Sequence, residues 1–137
     1  EKVARDVYKA LGDMYPYENT FANIQLSEQN HMDAVRRLCE KYGIPILTDD
    51  DPGEFYLEEM GELYNGFVVD ESESLGAALK AGIEIEVMDI ADLTAALVVL
   101  APEGVPRDIQ NVLTNLINGS YNHLVAFQDA LERETAQ

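Results

Sequence analysis

The chain has 137 residues, of which 47% are hydrophobic, so it is long enough to fill the core of one ordinary domain. Its 26 acidic residues outnumber 9 basic ones, and the net charge of −17 argues against nucleic acid and anionic lipid surfaces as partners. The single cysteine, Cys39, excludes an intrachain disulfide and any all-thiolate zinc or iron–sulfur site.

We expect a single domain over residues 1–137 without a membrane span, because no apolar run reaches the roughly 18 residues that a span requires. The chain begins with Glu1 and not with Met. We therefore expect that residues upstream of it are missing, and both a cytoplasmic and an exported location stay open.

Apolar residues recur at spacings of three and four over long windows, which is typical of amphipathic helices, while strict alternation is nearly absent. The pattern predicts a first helix from Glu1 to about Asp13. A second helix is predicted from about Phe21 to Tyr42, capped by Asn19 or Thr20 and ended by Gly43. Its inner stripe consists of Ile24, Glu28, His31, Val35, Leu38 and Tyr42.

A loop rich in Pro and Asp is predicted from Ile44 to Gly53, followed by a short helix from about Glu54 to Gly66. The run from Asp49 to Gly53 lacks the alternating ligands and closing Glu of an EF-hand, so it indicates a turn and not a calcium loop.

Two more long helices complete the chain. Ser72 or Ser74 can cap a third long helix that ends near Leu100, and after Pro102 and Gly104 a fourth runs from Pro106 to about Glu134. Their inner stripes are Leu75, Leu79, Gly82, Glu86, Asp89, Leu93 and Ala96 in the third, and Ile109, Leu113, Leu116, Ser120, His123 and Phe127 in the fourth. This pattern predicts an all-α bundle of four helices, with a short extra helix in the crossover between the second and third.

Acidic residues interrupt these apolar stripes, and a buried carboxylate costs several kcal/mol unless it is paired or bound to a metal. The structural alternative is pairing with basic side chains, of which only Arg5 is placed to reach inward. One arginine cannot neutralise several acids, whereas two metal ions can. The candidate ligands are Glu1 from the first helix, Glu28 and His31 from the second, Glu86 and Asp89 from the third, and His123 from the fourth.

The only two histidines lie in a near-repeat. Residues 27–35 return as residues 119–127, which aligns His31 with His123, and a similar offset places Glu1 over Glu86. The repeat indicates two helix pairs related by a pseudo-twofold axis, although three identities in nine positions leave a chance match open. Tyr8 lies two turns after Glu1 and is interpreted as a core residue facing the cluster, with a redox role as the alternative.

Four motifs in order, covering nearly the whole chain, carry a family resemblance. They are Glu1-Lys-Val-Ala-Arg-Asp-Val-Tyr8, Ser27-Glu-Gln-Asn-His-Met-Asp-Ala34, Ile85-Glu-Val-Met-Asp-Ile-Ala-Asp-Leu93 and Gly119-Ser-Tyr-Asn-His-Leu-Val-Ala-Phe127. Together they resemble a prokaryotic family of unknown function in the ferritin-like superfamily. The resemblance implies a ferritin-like four-helix bundle and, by analogy with rubrerythrin and bacterioferritin, a carboxylate-bridged di-iron centre.

The same resemblance implies a role for each ligand. Glu28 would bridge the two irons, Glu1 and His31 would complete one, and Glu86 and His123 the other. The chain departs from the superfamily pattern in the fourth helix, where Ser120 stands three residues before His123 in place of the second bridging glutamate. We expect Asp89 to supply the missing carboxylate.

These observations predict a non-haem di-iron protein that reacts with oxygen or peroxide, as a ferroxidase or a peroxide-scavenging oxidoreductase. Manganese or zinc are the alternative metals. No Cys-x-x-Cys module is present, so we expect an external electron donor, and a homodimer is an open expectation. The competing hypothesis is a metal-binding or metal-free bundle with a structural or assembly role, and it leaves open whether the protein is an enzyme.

Overall fold

The computed structural model describes residues 1–47, 50–70, 72–100 and 104–136, and within these ranges it contains helices and no strand. The prediction of an all-α protein is confirmed. None of the described helices is both long and apolar enough to cross a membrane. The helices are α1 (Lys2–Met14), α2 (Asn19–Tyr42), α3 (Glu58–Asn65), α4 (Leu75–Leu100) and α5 (Arg107–Thr135), with a π-helical turn, Gly66–Asp70, directly after α3.

The residues that cap the helices agree only in part with the predicted caps. Glu18 caps α2, because its carboxylate accepts a hydrogen bond from the backbone N–H of Thr20, so the predicted Asn19 and Thr20 caps are wrong. Gly43 ends α2 in the left-handed conformation at φ 67°, as predicted. Ser74 is the cap of α4, since its Oγ accepts a hydrogen bond from the N–H of Ala77.

The short helix in the crossover is shorter than predicted, because α3 begins at Glu58 and not at Glu54. A contact distant in sequence explains the difference. Lys2 Nζ donates hydrogen bonds to the carbonyl oxygens of Asp51 and Glu54 at 2.9 and 2.6 Å. These carbonyl groups therefore bond to a distant side chain and not to the N–H groups of a helix.

The acidic loop that precedes α3 forms a turn over its described part. Gly53 adopts a φ of 80°, which only glycine takes without strain, and the carboxylate of Asp50 pairs with Arg36 at 2.6 Å. Two predictions fall outside the described residues: the contribution of Asp49 to this loop and the break at Pro102.

The helices pack as two antiparallel hairpins. Within the first, Glu1 at the start of α1 contacts His31 of α2, while Gly12 near its end lies against Phe21. Within the second, Gly82 of α4 lies against Phe127 of α5, and α4 and α5 share the most extensive interface.

Two further contacts join the hairpins. Tyr8 of α1 donates a hydrogen bond to Glu86 of α4, and Ser27 of α2 contacts His123 of α5. Each long helix therefore contacts two others, and the four enclose one core.

An aromatic cluster fills the core on one side of the acidic residues. Tyr8, Phe21 and Phe127 are fully buried, and the ring centroid of Phe127 lies 5.0 Å from that of Tyr8 and 5.7 Å from that of Phe21. Gly82 permits this arrangement, because a Cβ at that position would lie 2.7 Å from the Phe127 ring. Glu28 and Glu86 are also fully buried, so the acidic residues belong to the interior and not to the surface.

The glycine–aromatic contact can be tested by adding one methyl group. We expect Gly82→Ala to lower the free energy of unfolding of the metal-free protein by about 1–3 kcal/mol, because the Phe127 ring must leave its position. The control is Gly61→Ala in α3, where a Cβ meets nothing within 4 Å.

Since alanine is the better helix former, Gly61→Ala should raise the free energy of unfolding by up to about 1 kcal/mol. Urea denaturation measures both variants. Equal effects of the two substitutions would contradict the packing that we describe.

Candidate metal centre

The four long helices bring five of the six predicted ligands into two overlapping groups. Glu1, Glu28 and His31 form the first group, and Glu28, Glu86 and His123 form the second. In each group the candidate ligand atoms lie within 4.8 Å of one another, which is close enough for a metal ion to be held between them. Glu28 belongs to both groups, which is the position that a bridging carboxylate would need, and its bridging role stays a prediction.

The histidines present the same atom to the carboxylates. His31 Nδ1 lies 3.0 Å from Glu1 Oε2 and 3.3 Å from Glu28 Oε2. His123 Nδ1 lies 3.0 Å from Glu28 Oε1 and 3.1 Å from Glu86 Oε1. One oxygen of Glu28 therefore faces each imidazole, and the two rings stack with centroids 5.5 Å apart and an interplanar angle of 23°.

Buried oxygen atoms without a hydrogen-bond partner collect at this centre. Within the described chain they are Glu1 Oε1, Glu28 Oε2, Glu86 Oε2, Asp89 Oδ2 and Ser120 Oγ. Leaving such an atom unsatisfied costs about 1–3 kcal/mol, and more for a charged group. Metal ions would satisfy the carboxylate oxygens among them, so the side chains fit a metal centre.

Asp89 lies outside both groups of ligand atoms. Its unpartnered Oδ2 is nevertheless buried, and burial, helped by the charges of Glu1 and Glu86, raises the pKa of its carboxyl to about 7. The structure thus places Asp89 beside the centre, and its role as the replacement carboxylate stays a prediction.

Basic side chains do not neutralise the centre. Arg5 is buried, but its guanidinium bonds to Asp6, to the side chain of Gln29 and to the carbonyl oxygen of Asp50. In the part of the chain that is described, the ion pairs of Glu1, Glu28 and Glu86 are with histidine alone. The alternative in which Arg5 neutralises these carboxylates is therefore wrong.

In the absence of metal, protons take up part of the negative charge. Although burial works in the opposite direction, contacts with the carboxylates of Glu1 and Glu28 raise the pKa of His31 to about 10. Contacts with Glu28 and Glu86 likewise raise the pKa of His123 to about 9 against the effect of burial. Burial also raises the pKa of Glu28 above its usual range, so protons shared among these side chains offset part of the negative charge.

Three other residues contact the candidate ligands. The Tyr8 hydroxyl donates to Glu86 Oε1 at 3.0 Å, which gives the predicted core tyrosine a second role as a hydrogen-bond donor. Ser27 Oγ lies 2.8 Å from His123 Nε2, and Gly119 lies directly against the ring of His31. The near-repeat contains both Ser27 and Gly119, but spacing alone gave no reason to assign them a role.

Comparisons with known proteins place this fold in a family. Residues 1–137 match the family described as an uncharacterized protein domain (DUF2202). Over 128 residues the chain is 44% identical to the uncharacterized protein MJ0754 of Methanocaldococcus jannaschii, and the alignment covers 93% of this chain and 66% of that protein.

A solved structure has a similar fold. The crystal structure of the hypothetical protein MJ0754 from Methanococcus jannaschii matches with a TM-score of 0.89 at 41% identity, covering 98% of this chain and 74% of that one. The helix arrangement described above is thus similar to one determined by crystallography.

Because the pKa values of both histidines are raised, we expect metal binding to depend on pH. A metal ion at Nδ1 must displace a proton, so affinity for a divalent ion such as Co²⁺ should rise as the pH rises from 6 to 8. The apparent dissociation constant should fall about tenfold per pH unit for each proton released.

Isothermal titration in two buffers of different ionisation enthalpy counts the released protons. Affinity that does not change with pH would show that the metal ions bind elsewhere, because a surface carboxylate has already lost its proton in this range.

Proposed function

The chain belongs to the DUF2202 family, and we propose that it is a non-haem di-iron protein of ferritin-like fold that reacts with oxygen or peroxide. The reaction would be that of a ferroxidase or of a peroxide-scavenging oxidoreductase. The observation that carries the proposal is the pair of carboxylate–histidine groups that share the fully buried Glu28.

The arrangement of the helices supports the ferritin-like part of the proposal. Two antiparallel hairpins pack together, and the long connection that contains α3 joins the second long helix to the third. Di-iron carboxylate proteins build their centres in this way, from inward-facing glutamates and histidines on four helices. Here the ligands likewise come from four helices.

The chemistry of the donors supports iron. All candidate ligand atoms are carboxylate oxygens or imidazole nitrogens, and sites rich in carboxylate suit iron and manganese better than they suit copper. Two iron ions would supply the electron transfer by which oxygen or peroxide is reduced. An external donor would return the electrons, since the only cysteine of the chain offers no internal thiolate cluster.

The protein's own side chains have distinct tasks in this proposal. Glu28 would hold both metal ions, because one of its oxygens faces each histidine. The Tyr8 hydroxyl holds the carboxylate of Glu86 in place. The aromatic cluster of Tyr8, Phe21 and Phe127 closes one side of the centre and excludes water from it.

Metal analysis tests the ligand assignment. Protein purified or reconstituted anaerobically with Fe²⁺ should hold about two irons per chain, as in other bundles of this type. In the double variant Glu28→Ala/His31→Ala the iron content should fall close to background, because one residue serves both positions. Glu40→Ala, an exposed change on α2, is the control and should keep the iron.

Substoichiometric iron that the double variant leaves unaltered would refute the proposal. Zinc in place of iron, at the same residues, would instead support the competing hypothesis of a metal-binding bundle with a structural role.

Rapid mixing tests the redox part of the proposal. When the anaerobic ferrous protein meets oxygen or hydrogen peroxide, we expect near-ultraviolet absorption of ferric iron to develop much faster than in the Glu28→Ala/His31→Ala variant given the same iron. Oxygen consumption, followed in parallel, distinguishes the two oxidants. Equal rates in both proteins would show that the iron oxidises in solution and not at the centre.

A further inference from the structure

The two histidines have different surroundings on the side that faces away from the carboxylates. His123 Nε2 lies 2.8 Å from Ser27 Oγ on α2. His31 packs against Gly119 on α5, where a Cβ would lie 2.7 Å from both Nε2 and Cε1. Ser27 and Gly119 occupy the same position of the near-repeat, so each helix of the α2–α5 pair supports the histidine of the other.

The serine hydroxyl can accept a hydrogen bond from the form of His123 that binds metal through Nδ1. When Nε2 carries the proton and donates it to Ser27 Oγ, the lone pair of the neutral ring lies on Nδ1, the atom that faces Glu28 and Glu86. A hydrogen bond at the far nitrogen fixes both the tautomer and the orientation of a metal-binding imidazole. Ser27 would thus accept a hydrogen bond from His123 Nε2 once a metal ion is bound at Nδ1.

At the equivalent position, Gly119 offers the His31 ring no such hydrogen bond. Gly119 lets the α5 backbone approach the His31 ring, but it has no side chain that can accept a hydrogen bond from Nε2. Within the described residues His31 Nε2 has no hydrogen-bond partner, so packing alone holds this side of the ring, while Nδ1 contacts the carboxylates. The first group is also more open, since the side chains of Glu1 and His31 are 13% and 14% exposed, whereas that of Glu86 is fully buried.

We propose that Ser27 and Gly119 are positioning residues that make the two metal positions unequal. The position at His123 is fixed by Ser27 and binds metal first and more tightly. The position at His31 requires that residue 119 has no side chain, because a Cβ there would displace the ring. This position fills second and exchanges its ion more readily. This inference rests on the proposed function, because it requires two metal ions at the centre.

Titration of the metal-free protein with Co²⁺ tests the inference through visible absorption, without any measurement of activity. The wild-type protein should bind two ions in two resolved steps. Ser27→Ala should weaken the tighter step about 10- to 100-fold and leave the other step nearly unchanged. Ser27→Thr keeps the hydroxyl and should restore the tighter step.

Gly119→Ala should have the complementary effect, because the added methyl displaces the His31 ring. It should weaken the second step and leave the first intact, whereas the control Gly61→Ala, whose Cβ meets nothing, should change neither. If Gly119→Ala proves too unstable to titrate, as urea denaturation would show, the Ser27→Ala and Ser27→Thr pair decides the question.

A second measurement reports the histidine directly. In the protein loaded with Zn²⁺, a ¹⁵N–¹H spectrum should show His123 bound through Nδ1 with a slowly exchanging Nε2 proton, which Ser27→Ala loses and Ser27→Thr retains.

Two results overturn the inference while the proposed function stands: two-ion binding that Ser27→Ala does not alter, or the same step weakened by Ser27→Ala and Gly119→Ala. Failure of the wild-type protein to bind two ions overturns the proposed function itself, and with it the inference.

Discussion

The burial of Glu28 between two imidazoles is the constraint on which the rest of the centre depends. A carboxylate without access to water is stable only if opposite charge or hydrogen-bond donors surround it, and here His31 and His123 supply both. Each histidine also contacts a carboxylate from a further helix, Glu1 for His31 and Glu86 for His123. Contacts that begin at one buried side chain thereby connect α1, α2, α4 and α5.

The two hairpins repeat the same motif with unequal parts. Glu1 stands to His31 as Glu86 stands to His123, and this equivalence follows the near-repeat in the sequence. The symmetry ends where the aligned residues differ. Ser120 occupies the position equivalent to Glu28, so the centre has one shared carboxylate instead of two, and an unpartnered serine hydroxyl lies buried beside it.

The sequence was most informative where a charged residue lies within an apolar stripe. Periodicity predicted the four long helices, and an acidic residue within an apolar stripe was sufficient to predict Glu28 and Glu86 as interior. Features that depend on distant contacts were not predictable in this way. The late start of α3 follows from hydrogen bonds to Lys2, about fifty residues earlier in the chain, and the contact of Ser27 with His123 crosses between helices that no local pattern relates.

The charges at the centre indicate how it can exist in two states. Glu1, Glu28, Glu86 and Asp89 together carry four negative charges when ionised, which two divalent metal ions would balance. Without metal, protons on His31 and His123, together with raised carboxyl pKa values at Glu28 and Asp89, reduce the same imbalance. Exchange of these protons for metal ions would then leave the buried charge nearly constant. Under the proposed function, metal ions would therefore replace these protons while the helices that hold the ligands remain in place.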